Sequence, residues 1–234
     1  LFPYTTLFRS NILIDGNHFI MRIYYAVAAS SKIQDEDEMS ELWYKTLITY
    51  IKPYTGFVKR VIFAVDSSSW RKNLYLDVDY KGHRDKSKNE LQFIFSAYER
   101  FQTILESRDI LVSKIDKAEG DDLILLWRDW SWAHNENTLV ISGDSDLKQL
   151  VKHDGDVFCI MADMNDEQKL IVPLGFTDTY LHQKMGLFAT HQNMLPTLLM
   201  EQKYGQKIEE VDVPSNFTTF YRENIKDDAI INKK

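Results

Sequence analysis

Acidic residues follow four apolar segments of this chain, at or just after the point where each segment ends. Residues 11–15, 60–66 and 138–142 have the aliphatic, β-branched character of buried strands, and a shorter segment of the same kind spans 110–114. Helical patterns separate these segments, which predicts βαβ units and a mostly parallel sheet. Because the carboxyl ends of parallel strands lie at one edge of such a sheet, we expect the acids to meet there. The seven carboxylates are Asp15, Asp66, Glu119, Asp121, Asp122, Asp144 and Asp146.

Carboxylates gathered in this way require cations, because like charges brought together away from water are costly. Hard oxygen ligands of this kind suit Mg²⁺ or Mn²⁺. Each acid also has an ordinary explanation. Asp15 begins an Asp-Gly-Asn turn sequence, and the other acids suit helix caps or first helical turns. Capping does not require four strands to place acids at one edge, so we interpret the set as a metal site for phosphoryl transfer.

The remaining elements follow from periodicity and capping signals. Ser40 is the predicted N-cap of the second helix, after a solvated acidic loop at 35–38. Residues 156–161 and 169–173 are predicted to pair antiparallel, because the loop between them is short. The segment 178–204 has a helical pattern, and the chain from 207 onward is polar, as in a loop or tail. The other predicted helices are 17–29, 90–106, 119–133 and a short one at 145–152.

The chain is predicted to divide into three segments. Residues 1–10 resemble the translation of a sequencing adapter, and we leave them out of the fold prediction. Residues 11–174 form the catalytic domain, and 175–234 form an incomplete C-terminal helical region with a tail. The single cysteine, Cys159, lies in an apolar run, which predicts a buried thiol and a reducing, cytoplasmic location. No apolar run has the length of a membrane span, so no membrane association is expected.

One basic segment stands out against the net charge of −7. Between residues 71 and 88 the chain carries six basic and three acidic side chains. A local basic segment beside an acidic site favours contact with nucleic acid, and the alternative is an ordinary solvated loop, which we favour for Lys86 and Lys88. The basic residues are Arg71, Lys72, Lys81, Arg84, Lys86 and Lys88.

Five short motifs occur in a characteristic order. They are Ile14-Asp-Gly-Asn17, Val65-Asp66, Tyr80-Lys-Gly-His-Arg84, Glu119-Gly-Asp-Asp122 and Ser142-Gly-Asp-Ser-Asp-Leu-Lys-Gln-Leu150. Together they resemble the 5′ nuclease (flap endonuclease) family, and most closely its bacteriophage 5′–3′ exonuclease/RNase H members. The resemblance covers residues 11–174 and implies an α/β fold. That fold has a PIN-like, mostly parallel central sheet flanked by helices, with a helical or loop arch.

The resemblance also implies roles for individual residues. Asp15, Asp66, Glu119 and Asp121 would hold one Mg²⁺ or Mn²⁺ ion. Asp144 and Asp146 would hold a second ion, with Asp121 between the two and Asp122 in support. Lys81 and Arg84 would hold the scissile phosphate, and Tyr80 would stack on an unpaired base. The Trp70-Arg71-Lys72 step adds to the phage-type likeness and joins the substrate-binding set.

The activity implied by the resemblance is hydrolysis of phosphodiester bonds near 5′ ends of DNA or RNA–DNA hybrids. The biological setting would be primer or flap removal in phage DNA replication, by a monomer in the host cytoplasm. A single-strand binding protein or a clamp is a candidate partner. One departure concerns the Gly-Asp-x-x-Asp stretch that the family's helix–three-turn–helix element carries, which is not found after Gly175. We therefore expect the frame to end before that element.

Two other functions stay open at this stage. One is a PIN-type ribonuclease, which uses a similar acidic pocket with fewer carboxylates. The other is a truncated fragment that binds nucleic acid without cutting it. A phosphatase on a similar sheet is disfavoured, because Asp15 has no second acid two residues later.

Overall fold

The computed structural model describes residues 10–28, 35–56, 58–67, 88–185 and 194–196. Eight strands in these ranges form one sheet, and five α-helices and two short 3₁₀ helices accompany it. The strands are β1 (Ser10–Asp15), β2 (Val58–Val65), β3 (Leu111–Lys114), β4 (Asn137–Ser142), β5 (Lys152–Asp154), β6 (Val157–Asp163), β7 (Lys169–Val172) and β8 (Met194–Pro196). The helices are α1 (Gly16–Ala28), α2 (Glu36–Ile51), α3 (Lys88–Ser107), α4 (Gly120–Ala133) and α5 (Asp178–Met185), with 3₁₀ turns at Lys52–Tyr54 and Ser145–Leu150.

The sheet is mostly parallel, as the sequence predicts. Its order is β3-β2-β1-β4-β6-β7-β8, with β5 pairing beside β6. All pairs from β3 to β6 along this order are parallel, and β7 pairs antiparallel with β6, also as predicted. Strands β1, β2, β3, β4 and β6 therefore point their carboxyl ends toward the same edge of the sheet, which we call the carboxyl edge.

The core has two layers because successive side chains of the central strands face opposite sides. On one side Ile12 and Ile14 of β1 pack with buried residues of α1, α2 and α3, among them Trp43 and Phe101. On the other side Leu13 packs with α4. The fully buried strands and the two helical layers hold the carboxyl edge in place.

The second helix begins earlier than predicted. Asp35, not Ser40, is its N-cap, and the Asp35 carboxylate accepts from the backbone N–H groups of Asp37 and Glu38 at 2.7 and 3.1 Å. Acids in the first helical turn favour this start, because they complement the positive end of the helix dipole. Ser40 is instead buried within α2, where its hydroxyl donates to the Glu36 carbonyl at 2.6 Å. The predicted acidic loop is thus the first turn of the helix.

The short edge strands also differ from the prediction. The predicted helix at 145–152 is a 3₁₀ turn that ends at Leu150, and β5 follows it as the first arm of a hairpin closed by Gly155 at φ 56°. Within the segment predicted as helical, α5 ends at Met185 and Met194–Pro196 forms β8 on the outside of β7. β8 is stabilised by a partner distant in sequence, and proline is tolerated in such an outer strand.

The amino end of the chain joins the sheet one residue earlier than expected. Ser10, which the prediction left out with residues 1–9, is fully buried in β1 and pairs with Val58 and Asn137. Residues 1–9 lie outside the described part of the chain. The domain boundary near residue 174 stays a prediction.

Two smaller expectations concern the thiol and the membrane. Cys159 is fully buried in β6, and burial raises the pKa of its thiol to about 12, as expected of a structural cysteine. Within the described ranges, none of the helices is both long enough and apolar enough to cross a membrane.

A polar network stabilises the opposite end of the sheet. The Asn11 amide donates to Ser131 Oγ and to Glu136 Oε2, both at 2.8 Å. Lys59 pairs with Glu136, and Arg60 donates to Glu136 Oε2 at 2.8 Å. Burial alone would raise the pKa of Glu136, but the hydrogen bonds from Lys59 and Asn11 and the charge of Arg60 hold it below the ordinary value. The ionised carboxylate therefore joins β1, β2 and the start of β4.

We expect Glu136→Gln to lower the free energy of unfolding at pH 7 by about 2 kcal/mol, because two cations lose their partner. The folded pKa lies below the ordinary 4.5, so wild-type Glu136 stabilises the protein above about pH 4.5 and loses this effect as the pH falls through the folded pKa. Urea unfolding at pH 7 and pH 4 should show the difference shrinking at the lower pH. The control is Glu106→Gln, at an exposed position on α3, which should change little at either pH. Equal effects of the two variants would contradict this role for Glu136.

Candidate active site

The carboxyl edge collects the acids that the sequence placed at strand ends. Asp15 is the last residue of β1 and Asp66 directly follows β2. Glu119 is the N-cap of α4 after β3, and Asp144 is the N-cap of the 3₁₀ turn after β4. Because β1, β2, β3 and β4 are parallel neighbours, these four exits lie side by side.

Asp15 and Asp66 are held by protein donors on every oxygen. Asp15 is buried, and it accepts from the backbone N–H of His18 at 3.0 Å and from Ser142 Oγ at 2.7 Å. Asp66 accepts from the Asn17 side-chain amide and from the Gly120 backbone N–H, the latter at 2.5 Å. Burial raises the pKa of Asp15, and it outweighs the opposing effect of the bonds from Ser142 and His18. These bonds fix both carboxylates between α1, α4 and β4.

Glu119 and Asp122 form a reciprocal capping box at the start of α4. Asp122 accepts from the Glu119 backbone N–H at 3.0 Å, and the Glu119 side chain accepts from the N–H of Asp122. A Cβ on Gly120 would lie 2.8 Å from Asp66 Oδ1, so this glycine allows α4 to begin against the second strand exit. The capping explanation for these acids is therefore correct, and capping brings their charge to the same edge.

Asp144 and Asp146 also lie at the start of a helical element, with Asp144 as the N-cap of the 3₁₀ turn and Asp146 in its first turn. Asp144 Oδ1 accepts from the Asp146 backbone N–H at 2.8 Å, and the Asp144 N–H donates to Ser142 Oγ at 2.9 Å. Asp144 is half-buried and Asp146 is exposed. Ser142 thus connects Asp144 to Asp15 through one hydroxyl.

Desolvation and the charges of the neighbouring acids raise the pKa of Asp121, in the first turn of α4. Part of its side chain is exposed to solvent. The surrounding protein nevertheless removes water from the carboxyl group, and this desolvation raises its pKa. Together with the charges of Asp15, Asp144, Asp66 and Asp122, it brings the pKa to about 7. Asp121 and Asp122 lie in the first turn of α4, whose N-cap Glu119 is at one of the four strand exits. The structure therefore brings together Asp15, Asp66, Asp121, Asp122 and Asp144, with Glu119 in the capping box beside them.

The chemistry of this edge fits a hard divalent cation. The side chains offered are carboxylates, and their crowding raises the pKa of Asp121, a penalty that a cation would relieve. In the part of the chain that the structure describes, no three His, Cys, Asp or Glu side chains are already arranged as a metal-binding group. The assignment of seven metal ligands stays a prediction.

Sequence reasoning missed several residues of this edge. Asn17 and Ser142 orient the two central carboxylates. Asp163, at the end of β6, is buried and forms an ion pair with the buried Lys148 at 3.2 Å. The strand-end rule would have found Asp163 if the predicted strand had not stopped at residue 161. Its pairing with Lys148 fixes the 3₁₀ turn against β6.

The residues predicted to bind substrate lie outside the described ranges. They are Tyr80, Lys81, Arg84, Arg71 and Lys72, together with the arch that the resemblance implies. Their roles stay predictions. The described residues that flank this segment are Ser67, two residues after β2, and Lys88 at the start of α3.

Comparison with known proteins identifies the family. Residues 10–186 match the family described as "5′-3′ exonuclease, N-terminal resolvase-like domain", and the chain belongs to this family. The resemblance inferred from the five motifs is thereby confirmed.

A 5′-3′ exonuclease of Mycoplasmopsis pulmonis is 31% identical over 142 residues, which are 60% of this chain and 44% of the relative. DNA polymerase I of Chloroflexus aurantiacus is 24% identical over 143 residues, 60% of this chain and 14% of the relative. The chain thus spans less than half the length of these curated relatives.

Solved structures show the same fold. The bacteriophage T5 5′-exonuclease with bound divalent zinc ions superposes with a TM-score of 0.52 at 15% identity, over 92% of this chain and 75% of that chain. The T5 D15 protein co-crystallised with metal ions gives a TM-score of 0.51 at the same identity and coverage. The predicted α/β class with a PIN-like, mostly parallel sheet flanked by helices is confirmed.

Proposed function

We propose that the chain is the catalytic part of a divalent-metal-dependent 5′-3′ exonuclease or flap endonuclease. Its substrate would be DNA or an RNA–DNA hybrid with a 5′ end or flap. The observation that carries the proposal is the carboxyl edge, where strand exits from four parallel neighbours bring acids around Asp121. Membership in the 5′-3′ exonuclease family gives the reaction class.

The chain's own residues would bind and orient the reacting groups. Asp15, Asp66, Glu119 and Asp121 would hold one cation, and Asp144 and Asp146 a second, with Asp122 fixing the start of α4. Asn17 and Ser142 would keep Asp66 and Asp15 in place through the hydrogen bonds described above. Lys81 and Arg84 would bind the scissile phosphate, Tyr80 would stack on an unpaired base, and Arg71 and Lys72 would contact the neighbouring backbone. When bound, two Mg²⁺ or Mn²⁺ ions supply Lewis-acid activation of water and offset charge on the phosphate.

The setting is part of the same proposal. The T5 relative is a phage protein, and a chain of this kind would remove primers or flaps during phage DNA replication in the host cytoplasm. We propose that it acts as a monomer, with a single-strand binding protein or a clamp as its candidate partner.

The test is cleavage of three labelled substrates in Mg²⁺. They are a 5′-flapped DNA duplex, an RNA–DNA hybrid with a recessed 5′ end, and single-stranded RNA of the same sequence. We expect short products from the 5′ label of the first two and little from the third. Preferred cutting of the single-stranded RNA would support a PIN-type ribonuclease instead. A folded protein that binds the flap but cuts none of the three would indicate a binding fragment.

Lys81→Ala should slow cleavage of the flapped duplex by about 10- to 100-fold, because a hydrogen bond to a charged group contributes about 1.5–3 kcal/mol. Affinity for Mn²⁺ in the absence of substrate should be nearly unchanged, since Lys81 is proposed to bind phosphate. Lys45→Ala, at an exposed position on α2, is the matched control and should leave the rate unaltered. An equal loss of Mn²⁺ affinity in Lys81→Ala would argue against the phosphate role.

A further inference from the structure

Tyr98 of α3 places a phenolic hydroxyl directly beneath the carboxyl edge. Its side chain is 6% exposed, and its ring packs edge-on against Phe63 and Trp43, with ring centroids 6.4 Å apart in both pairs. A Cβ on Gly16 would lie 2.9 Å from the hydroxyl oxygen. The hydroxyl therefore lies against the backbone that joins Asp15 to α1, and the aromatic neighbours restrict its ring to that position.

The hydroxyl is buried, and among the residues that the structure describes it has no hydrogen-bond partner. A buried polar group without a partner costs free energy, so such groups are rare and each requires an explanation. A phenylalanine would fill the same space in this aromatic cluster without that cost. A tyrosine at this position is explained if its hydroxyl forms a hydrogen bond in another state of the site.

The charged groups that act on this hydroxyl are two of the proposed cation ligands. Burial raises the pKa of Tyr98 well above its ordinary value, and the charges of Asp66 and Asp15 raise it further. A phenol is protonated at neutral pH even without this shift, so the hydroxyl can donate. Asp15 directly precedes Gly16 in the chain, and a carboxylate is a hydrogen-bond acceptor when ionised.

Each oxygen of both carboxylates accepts a hydrogen bond from a protein donor in the present arrangement. His18 N–H and Ser142 Oγ donate to the two oxygens of Asp15, and Asn17 and Gly120 donate to the two oxygens of Asp66. A cation would bind through the remaining lone pairs of these oxygens, and a carboxylate that turns toward the cation changes the geometry of its existing hydrogen bonds. A further donor beside the pair would then hold the carboxylates in their new orientation.

We propose that Tyr98 is a positioning residue for the Asp15–Asp66 pair, and that its hydroxyl donates to this pair when a divalent cation is bound. This inference rests on the proposed function, because it requires the carboxyl edge to bind a cation. It predicts that removing the hydroxyl has opposite effects on the stability of the cation-free and the cation-bound protein. In the cation-free protein, the change removes an unpaired buried polar group. In the cation-bound protein, it removes a hydrogen bond.

The experiment measures the thermal midpoint of unfolding for the wild type and Tyr98→Phe, each in EDTA and across a Mn²⁺ titration. In EDTA the variant should unfold at the same temperature as the wild type or higher. With Mn²⁺ its midpoint should rise less, and the Mn²⁺ concentration for half of the effect should increase about tenfold, as is typical for partners of metal ligands. Raising Mn²⁺ further should restore the wild-type response.

Tyr54→Phe is the matched control. Tyr54 is also buried, and burial raises the pKa of its hydroxyl to about 12. It lies just before β2, at the end of the sheet opposite the carboxyl edge. The rise of its thermal midpoint with Mn²⁺ should match that of the wild type, whether or not the two midpoints differ in EDTA.

Three outcomes would overturn the proposal. Identical Mn²⁺ responses in Tyr98→Phe and wild type would leave the cation site intact but remove Tyr98 from it. An equal fall of the midpoint in EDTA and in Mn²⁺ would make Tyr98 a packing residue only. A wild type that does not respond to Mn²⁺ would reject the cation site itself, and with it both the proposed function and this inference.

Discussion

Asp121→Asn is expected to reduce cleavage of a 5′-flapped duplex by more than about 100-fold while the protein remains folded. Mutation of a residue that only hydrogen-bonds to a metal ligand typically lowers metal affinity or activity by about 10- to 100-fold. Asp121 is proposed to lie between two cations, so its loss should cost more. The measurement is the single-turnover rate in Mg²⁺. Asp154→Asn makes the same chemical change at an exposed position of β5, on the opposite edge of the sheet, and should keep the wild-type rate.

The same variant should be more stable than the wild type in EDTA. The pKa of Asp121 is raised from 3.8 to about 7, so its protonated form is favoured by folding and its ionised form is disfavoured. The stability that this proton contributes is present below about pH 4 and is lost as the pH rises to about 7. Asparagine carries no charge at any pH, so its advantage should grow over that range to about 1 kcal/mol, an amount reduced by solvent screening.

Urea unfolding at pH 5 and pH 8 measures this difference. A variant that is less stable than the wild type at both values would mean that Asp121 is a structural residue. The loss of cleavage would then have to be attributed to misfolding, and the assignment of Asp121 to the cation site would be wrong.

Gly16→Ala should lower the free energy of unfolding by about 3 kcal/mol, which corresponds to roughly 6–12 °C in thermal midpoint for a chain of this size. Gly16 joins Asp15 to α1, and a Cβ there would collide with the Ala64 carbonyl and the Phe63 ring. Both neighbours belong to the buried second half of β2, so neither can move away cheaply.

Gly56→Ala is the matched control, because a Cβ at Gly56 would meet nothing within 4 Å. Thermal unfolding should separate the two variants by several degrees. Equal midpoints would show that α1 can shift away from β2 without cost, and would contradict the close packing described at this strand exit.

The sequence predicted the central strands because their apolar runs are buried on both faces, as in Ile12, Leu13 and Ile14 of β1. It predicted the site because the acids directly follow those runs, so strand direction alone brings them to one edge. The small edge strands were missed for the opposite reason. Met194–Pro196 and Lys152–Asp154 have only three residues each, too few to show a strand period. Met194–Pro196 also depends on pairing with the distant β7, whereas Lys152–Asp154 is one arm of a hairpin whose Asp-Gly turn signal the prediction did not use.

Polar partners were also difficult to predict from the sequence. Asn17 and Ser142 are ordinary turn and strand residues until the fold brings them to Asp66 and Asp15. Ser40 was a reasonable N-cap by type, but Asp35 followed by three acids gives an earlier and better start for α2. The hydroxyl of Tyr98 belongs to an ordinary apolar helical stripe, and only the packing of α3 over Gly16 relates it to the acids.

The most direct test of the central claim is a calorimetric titration of the protein with Mn²⁺, without nucleic acid, alongside Asp121→Asn and Asp154→Asn. If the carboxyl edge is a divalent-cation site, the wild type and Asp154→Asn should bind Mn²⁺ with the same stoichiometry, proposed to be two ions. Asp121→Asn should bind fewer ions or bind them much more weakly. Absence of binding to the folded wild type at millimolar Mn²⁺, or identical titrations for all three proteins, would contradict the claim that these acids form the metal centre of a nuclease.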